Sequence, residues 1–121
     1  MLKRRTRPKM GVREEPQIRC PSHLKWVRGH ECACSIPVAY GTVGWCSSKI
    51  EAAHVRTGTD GGMALKPGDN WVIPLCSYHH AIQHKQGEPG FEKTFKISMK
   101  SIAMELWLKS PHGIKWRKEH E

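Results

Sequence analysis

Apolar positions along this chain fall into short stretches with different periods. From Lys49 to Val55 (Lys-Ile-Glu-Ala-Ala-His-Val) they alternate weakly, which predicts a strand ending near His54. Trp71 to Leu75 (Trp-Val-Ile-Pro-Leu) reads as a second strand, with Pro74 limiting its pairing to an edge or strand end. Between them, Arg56 to Asn70 holds four Gly, a Pro and two Asp. That is a long loop, and long loops inside a compact domain are usually functional. Ser77 to Gln86 predicts a helix closed by Gly87. Upstream, Ser22 to Arg28 predicts a short helix with Ser22 as N-cap, Gly29 as stop and Trp26 in the core. Downstream, Phe91, Phe95, Met99, Ile102 and Leu106 recur at helical spacing, a core-facing stripe. Pro89 suits a helix start and Ser98 a cap. Two short helices are expected, or one with a break near Ile97, the second running from Met99 to about Lys109. Ser110-Pro111 and Gly113 should end it, leaving Lys115–Lys118 as a frayed basic tail.

Composition narrows the class. At 121 residues the chain suits one domain with a modest core, which a metal staple would help. Twenty Lys and Arg against eleven Asp and Glu give a net charge of +9, the balance of a protein that meets a polyanion, most often nucleic acid. Met1 to Arg19 carries Lys3, Arg4, Arg5, Arg7, Lys9 and Arg13 with no hydrophobic period. It reads as a flexible basic arm that touches phosphates, or as a solvated tail. The expected layout is an arm over 1–19, a domain over 20–110 and a basic tail over 111–121. Five cysteines, an odd number, argue against a disulfide framework. No apolar run follows the N-terminal charges, and no stretch reaches the length of a membrane span. A cytoplasmic setting is the default expectation.

The densest chemistry lies in Cys76-Ser-Tyr-His79-His80-Ala-Ile-Gln-His84. Cys76 and His79 have the half-site spacing of a structural zinc. His80 and His84 are four apart and share one side of a helix, where they can grip a second metal. Successive helix residues differ by about 100°, so the two pairs face different ways. Zinc needs four ligands, and Gly29 to Ser48, a segment with no period, supplies Cys32, Cys34 and Cys46. Cys32 and Cys34 are too close for an easy pair, so Cys32 with Cys46 is the preferred choice and Cys34 the substitute. Cys20 is left outside.

The order strand, long loop, strand, helix carries a set of residues that resembles a known family. They are Glu51-Ala-Ala-His-Val-Arg56, Gly61-Gly-Met63, Lys66-Pro67, Asp69, Pro74-Leu-Cys76, His79-His80, Gln83-His84, Gly87-Glu88 and Phe91. This set is similar to the HNH endonucleases of ββα-metal fold, most of all to the phage recombination-enhancement (Ref) type branch, over about Ile50 to Phe91. The resemblance implies an α+β fold with a small ββα-metal core, a structural zinc and flanking helices. It implies a DNA endonuclease of phage or prophage recombination or DNA processing. His54 would be the general base, and His80 and His84 the ligands of one divalent cation, Mg²⁺ or Mn²⁺, with Zn²⁺ or Ni²⁺ as alternatives. Asp69 or Asn70 would orient the base, Asp69 standing where the Ref-like pattern places its acid. Many relatives have a third ligand just before the base, where this chain has Ala53. The cation would then be held by two histidines with water and phosphate, or by His54 as well. Arg56 and Lys66 flank the site and suit phosphate contacts. DNA is the implied partner, with a recombinase filament as a second one. The rival readings are a non-catalytic, zinc-stapled nucleic-acid-binding module and an accessory nuclease that needs the recombinase.

Overall fold

The computed structural model describes residues 17–35, 46–61 and 66–121. Most of the expected basic arm and part of the cysteine-bearing loop, with Met63, lie outside the described residues. Strand β1 (Ile50–His54) pairs antiparallel with β2 (Val72–Cys76), with Ile50 opposite Cys76 and His54 opposite Val72. Pro74 sits in mid-strand, opposite Ala52. In a two-stranded sheet half of each strand's backbone groups face an unpaired edge, which accommodates a nitrogen that cannot donate. All five residues of β2 are buried, whereas in β1 Ala53 alone is. Position 53, the residue before the candidate base, therefore faces the core.

Helix α2 (Ser77–Gln86) follows β2 with no linker. The Cys76 side chain caps it by accepting the His79 N–H, and Gly87 closes it at φ 82°, a conformation that favours glycine. Helix α3 (Glu88–Phe95) begins at once, with Pro89 in its first turn. Lys96 takes a left-handed conformation and breaks the stripe one residue before the expected Ile97. Ser98 then caps α4 (Met99–Lys109), accepting the Ser101 N–H. Phe91, Ile73, Leu75, Met99, Val55, Ala53 and Ala103 form one buried cluster with Cys32, Cys34 and Cys76, and Phe95 and Ile102 pack against it half-buried. Among the described residues the fold is thus α+β, with five α-helices and a two-stranded sheet. Among the described residues no helix is long and apolar enough to cross a membrane.

Three expectations need correction. Helix α1 starts at Pro21 and runs to Arg28, so Cys20 rather than Ser22 precedes it. A proline at the first helical position has its φ already set and loses no helical bond. The face that α1 buries carries His23 and Val27, four apart, while Trp26 sits half-buried on its shoulder beside His30. The C-terminal residues do not fray. Ser110 caps a further helix, α5 (Pro111–Glu119), by accepting the His112 and Gly113 N–H groups. Gly113, expected as a stop, instead lets α5 approach Trp107 so closely that a Cβ would meet the Trp107 carbonyl. Arg117 donates to that same carbonyl at 3.1 Å.

His23 is fully buried, edge-on to Trp107 and near-parallel to Trp26. Neither ring nitrogen has a hydrogen-bond partner among the described residues. Burial first, and the charge of His112 second, push its pKa from 6.5 down to about 4. The folded pKa lies below the unfolded one, so the unfolded chain binds the extra proton and stability falls as pH drops from 6.5 to about 4. The loss is on the order of 3 kcal/mol. Thermal melts across this window should show a shallower acid-side slope for His23→Phe than for the native chain. Equal slopes would assign the loss to other groups.

Candidate functional site

Cys76 ends β2 and His79 lies in the first turn of α2, so the capping geometry that starts the helix also brings their donor atoms together. Cys32, just before a 3₁₀ turn (Ala33–Ser35), and Cys46, just before the lead into β1, complete a cluster. The His79 Nδ1 lies 3.1 Å from Cys76 Sγ and 3.6 Å from both Cys32 Sγ and Cys46 Sγ. All four donor atoms fall within 4.8 Å of one another. A tetrahedral zinc at ordinary bond lengths would set its sulfur and nitrogen ligands about 3.6 Å apart and its sulfurs about 3.8 Å apart. The cluster could therefore bind a metal ion such as zinc. Cys32 with Cys46 is the pair preferred from spacing, and Cys34 and Cys20 stand outside it. Cys34 still acts on it: a hydrogen bond from the Cys34 thiol is the largest cause holding Cys32 well below the usual thiol range, towards the thiolate that ligates metals.

His54, at the end of β1, turns Nε2 to Asp69 Oδ1 at 3.1 Å. Asp69 is buried and held on every side: its N–H donates to Ile18 O, its Oδ2 accepts the Cys20 N–H at 2.8 Å, and Arg19 Nη1 lies 3.6 Å from Oδ1. Asn70 Oδ1, by contrast, is buried with no partner among the described residues. Of the two residues weighed for orienting His54, Asp69 is the one in contact. Because a carboxylate only accepts, the neutral imidazole carries its proton on Nε2 and leaves Nδ1 basic. Burial lowers the His54 pKa below 6.5, partly offset by Asp69 and reinforced by the charges of Lys66 and Arg19. Lys66 is thus near enough for its charge to act on His54.

On α2, His80 Nδ1 lies 2.6 Å from Glu51 Oε1, and His80 Nε2 lies 3.2 Å from His84 Nε2. Glu51 accepts the Nδ1 proton, which leaves the His80 Nε2 lone pair facing His84. This is the arrangement in which a carboxylate orients a metal-binding imidazole. Two nitrogens about 2.1 Å from one ion, at a right angle or a little more, stand about 3.0–3.4 Å apart. The pair therefore fits a shared cation, and without one the same distance suits an N–H···N hydrogen bond. The Glu51 carboxyl is held below the usual carboxylate range, first by the His80 hydrogen bond. Among the described residues no third His, Cys or carboxylate joins His80 and His84 at ligand spacing.

His54 and His84 line one cleft of about 290 Å³, together with Arg56, Thr57, Gln83 and Glu88. The structure thus brings His54, His84 and Arg56 to a single opening, with Asp69 in contact with His54 and His80 in contact with His84. Residue-type reasoning missed the parts played by Glu51, Glu88 and Arg19. Glu51 and Glu88 belong to the motif set, but each meets its partner about thirty positions away, beyond the reach of spacing rules. Arg19, placed at the end of the arm, is anchored: it donates to Pro67 O at 2.7 Å and to Lys66 O at 3.3 Å. Comparison with family models, with curated proteins and with solved structures returns no match to this chain.

Two measurements follow from this geometry. Elemental analysis should find one tightly held zinc per chain, retained in Cys34→Ser and lost in Cys76→Ser, with a chelator lowering the melting temperature of the native protein as zinc-stapled domains do. A metal-free protein that melts at the same temperature would remove the staple. For the second cluster, calorimetry with Mn²⁺ should show Glu51→Gln binding about 10- to 100-fold more weakly, the usual cost of losing a carboxylate behind a histidine ligand. Unchanged affinity would mean that Glu51 does not orient His80.

Proposed function

We propose that this chain is a metal-dependent endonuclease of the HNH type that hydrolyses phosphodiester bonds in DNA. The observation that carries the reading is the single cleft lined by both His54, backed by Asp69, and His84, which lies 3.2 Å from His80. His54, with Nε2–H fixed on Asp69 and its pKa below 6.5, is a neutral base at physiological pH. Its Nδ1 would take the proton from the attacking water. His80 and His84 would hold one divalent cation, Mg²⁺ or Mn²⁺ being the first to try, and that ion supplies Lewis-acid stabilisation of the added phosphate charge. Glu51 orients His80, while Arg56 and Lys66 are placed to meet flanking phosphates. The Cys32, Cys46, Cys76 and His79 cluster, as a structural zinc site, would fix the start of α2 and so the direction of His80. The net charge of +9 suits the polyanionic substrate.

A second reading has an observation of its own. Ala53 faces the core, and His80 and His84 find no third protein ligand among the described residues. A zinc-stapled nucleic-acid-binding module that does not cut would look the same at these positions.

A nicking assay on single- and double-stranded DNA with Mg²⁺ or Mn²⁺ separates the two. Cleavage should fall by about 10²–10⁴ in His54→Ala, the usual contribution of a general base, and collapse in His80→Ala. Its acid limb should lie below pH 6.5, because the rate is lost as pH drops through the lowered His54 pKa. Salt-sensitive DNA binding without cleavage under any divalent ion would favour the binding module. Cleavage seen only on recombinase-coated DNA would favour the accessory nuclease. Activity that persists unchanged in both variants would refute the assignment.

A further inference from the structure

Glu88 opens α3 immediately after the left-handed Gly87. Its two carboxylate oxygens are both engaged: Oε2 accepts the Arg56 N–H at 2.8 Å and Oε1 accepts the Thr57 N–H at 2.7 Å. These amides belong to the chain as it leaves β1, two and three residues beyond His54. The preceding amide, that of Val55, still donates to Trp71 O at 2.8 Å across the sheet. Glu88 takes over where the sheet bonding stops. The carboxylate is also one helical cap away from α2, which bears His80 and His84, since Gly87 ends that helix. One side chain therefore ties the helix of the histidine pair to the exit of the strand that carries His54.

The chemistry argues against an incidental contact. Glu88 lines the cleft and places a negative charge where a polyanion would have to approach, in a chain that is otherwise strongly basic. A glutamine would spare that repulsion, but in this geometry, with one amide on each oxygen, it would set its own N–H₂ against one of the two amides. Two charge-assisted bonds to consecutive N–H groups require a carboxylate.

We infer that Glu88 is a positioning residue that sets the distance between the His54 imidazole and the His80–His84 pair. The inference rests on the proposed nuclease site and goes beyond it by naming a second tie, beside the Glu51–His80 bond, between the two halves of that site. Glu88 does not serve as a ligand or an acid: it joins no donor group with the two histidines, and both of its oxygens are occupied by amides.

The test compares the full-length protein with Glu88→Gln and Glu88→Asp in zinc-loaded form. Bound Mn²⁺ relaxes the His54 ring resonances in proportion to proximity, so NMR reads the separation directly, and amide exchange reads the Arg56 and Thr57 bonds. In Glu88→Gln the exchange protection of those two amides should drop about tenfold, and the His54 relaxation by Mn²⁺ should change. Zinc content should stay at one per chain and Mn²⁺ affinity should stay within about threefold. On DNA, kcat should fall about 10- to 100-fold while KM is unchanged or lower, the mark of misplacement without loss of binding. Glu88→Asp, which keeps the charge, should lie between the two in every readout. Unchanged His54 relaxation, or a kcat loss matched by loss of zinc and of melting temperature in both variants, would overturn the inference. If the native protein cuts no DNA, the nuclease reading fails, and the relaxation measurement still decides the role of Glu88.

Discussion

Three thiols and one imidazole share a space in which their donor atoms all lie within 4.8 Å of one another, three of the four residues fully buried. Polar groups in such a position need partners, and as thiolates they would repel one another without a cation between them. A metal ion such as zinc could resolve that conflict, which matters because the rest of the architecture is slight. A two-stranded sheet is marginal on its own. Here it is covered by helices α1, α2 and α4 and by the chain around Cys32, which meets β2 through the cluster. The direction of α2, and with it everything that His80 and His84 face, is set at Cys76, where a member of the Cys/His cluster, the strand end and the helix cap are the same residue.

Around the cleft, acidic side chains do the orienting. Asp69 stands behind His54, Glu51 behind His80 and Glu88 behind the backbone that follows His54. Each carboxylate is matched to a specific donor, so the local negative charge is used up in hydrogen bonds within a chain of net charge +9. Asp69 is itself clamped by the segment Ile18–Cys20: its N–H donates to Ile18 O and its carboxylate accepts the Cys20 N–H. The N-terminal edge of the described fold is therefore part of the apparatus that aims His54.

The sequence made legible what short-range spacing controls. The two strands, α2 with its glycine stop, the Ser98 cap and the cysteine pair that joins Cys76 and His79 were all readable, because each depends on residues a few positions apart or on ligand number. Long-range pairing was not readable. Nothing in residue types alone says that Glu51 will find His80 or that Glu88 will reach the amides of Arg56 and Thr57. The reading of α5 failed for a related reason. Ser110-Pro111 and Gly113 look like punctuation, yet the proline opens a helix after a serine cap and the glycine answers a close approach to Trp107. Trp26 was misplaced because size suggested the core, whereas the phase of α1 buries His23 and Val27.

The absence of any linker between β2 and α2 has a consequence for how such a chain can diversify. Adding one residue between Cys76 and His79 would rotate the rest of α2 by about 100°, carrying His84 off the cleft and His80 away from Glu51. The junction is thereby frozen against length change. The chain that leaves β1 is fixed differently: Glu88 holds the Arg56 and Thr57 amides, and the Ile18–Cys20 segment holds Asp69. A length change between those two anchors would leave the phase of α2, and so the aim of His80 and His84, untouched.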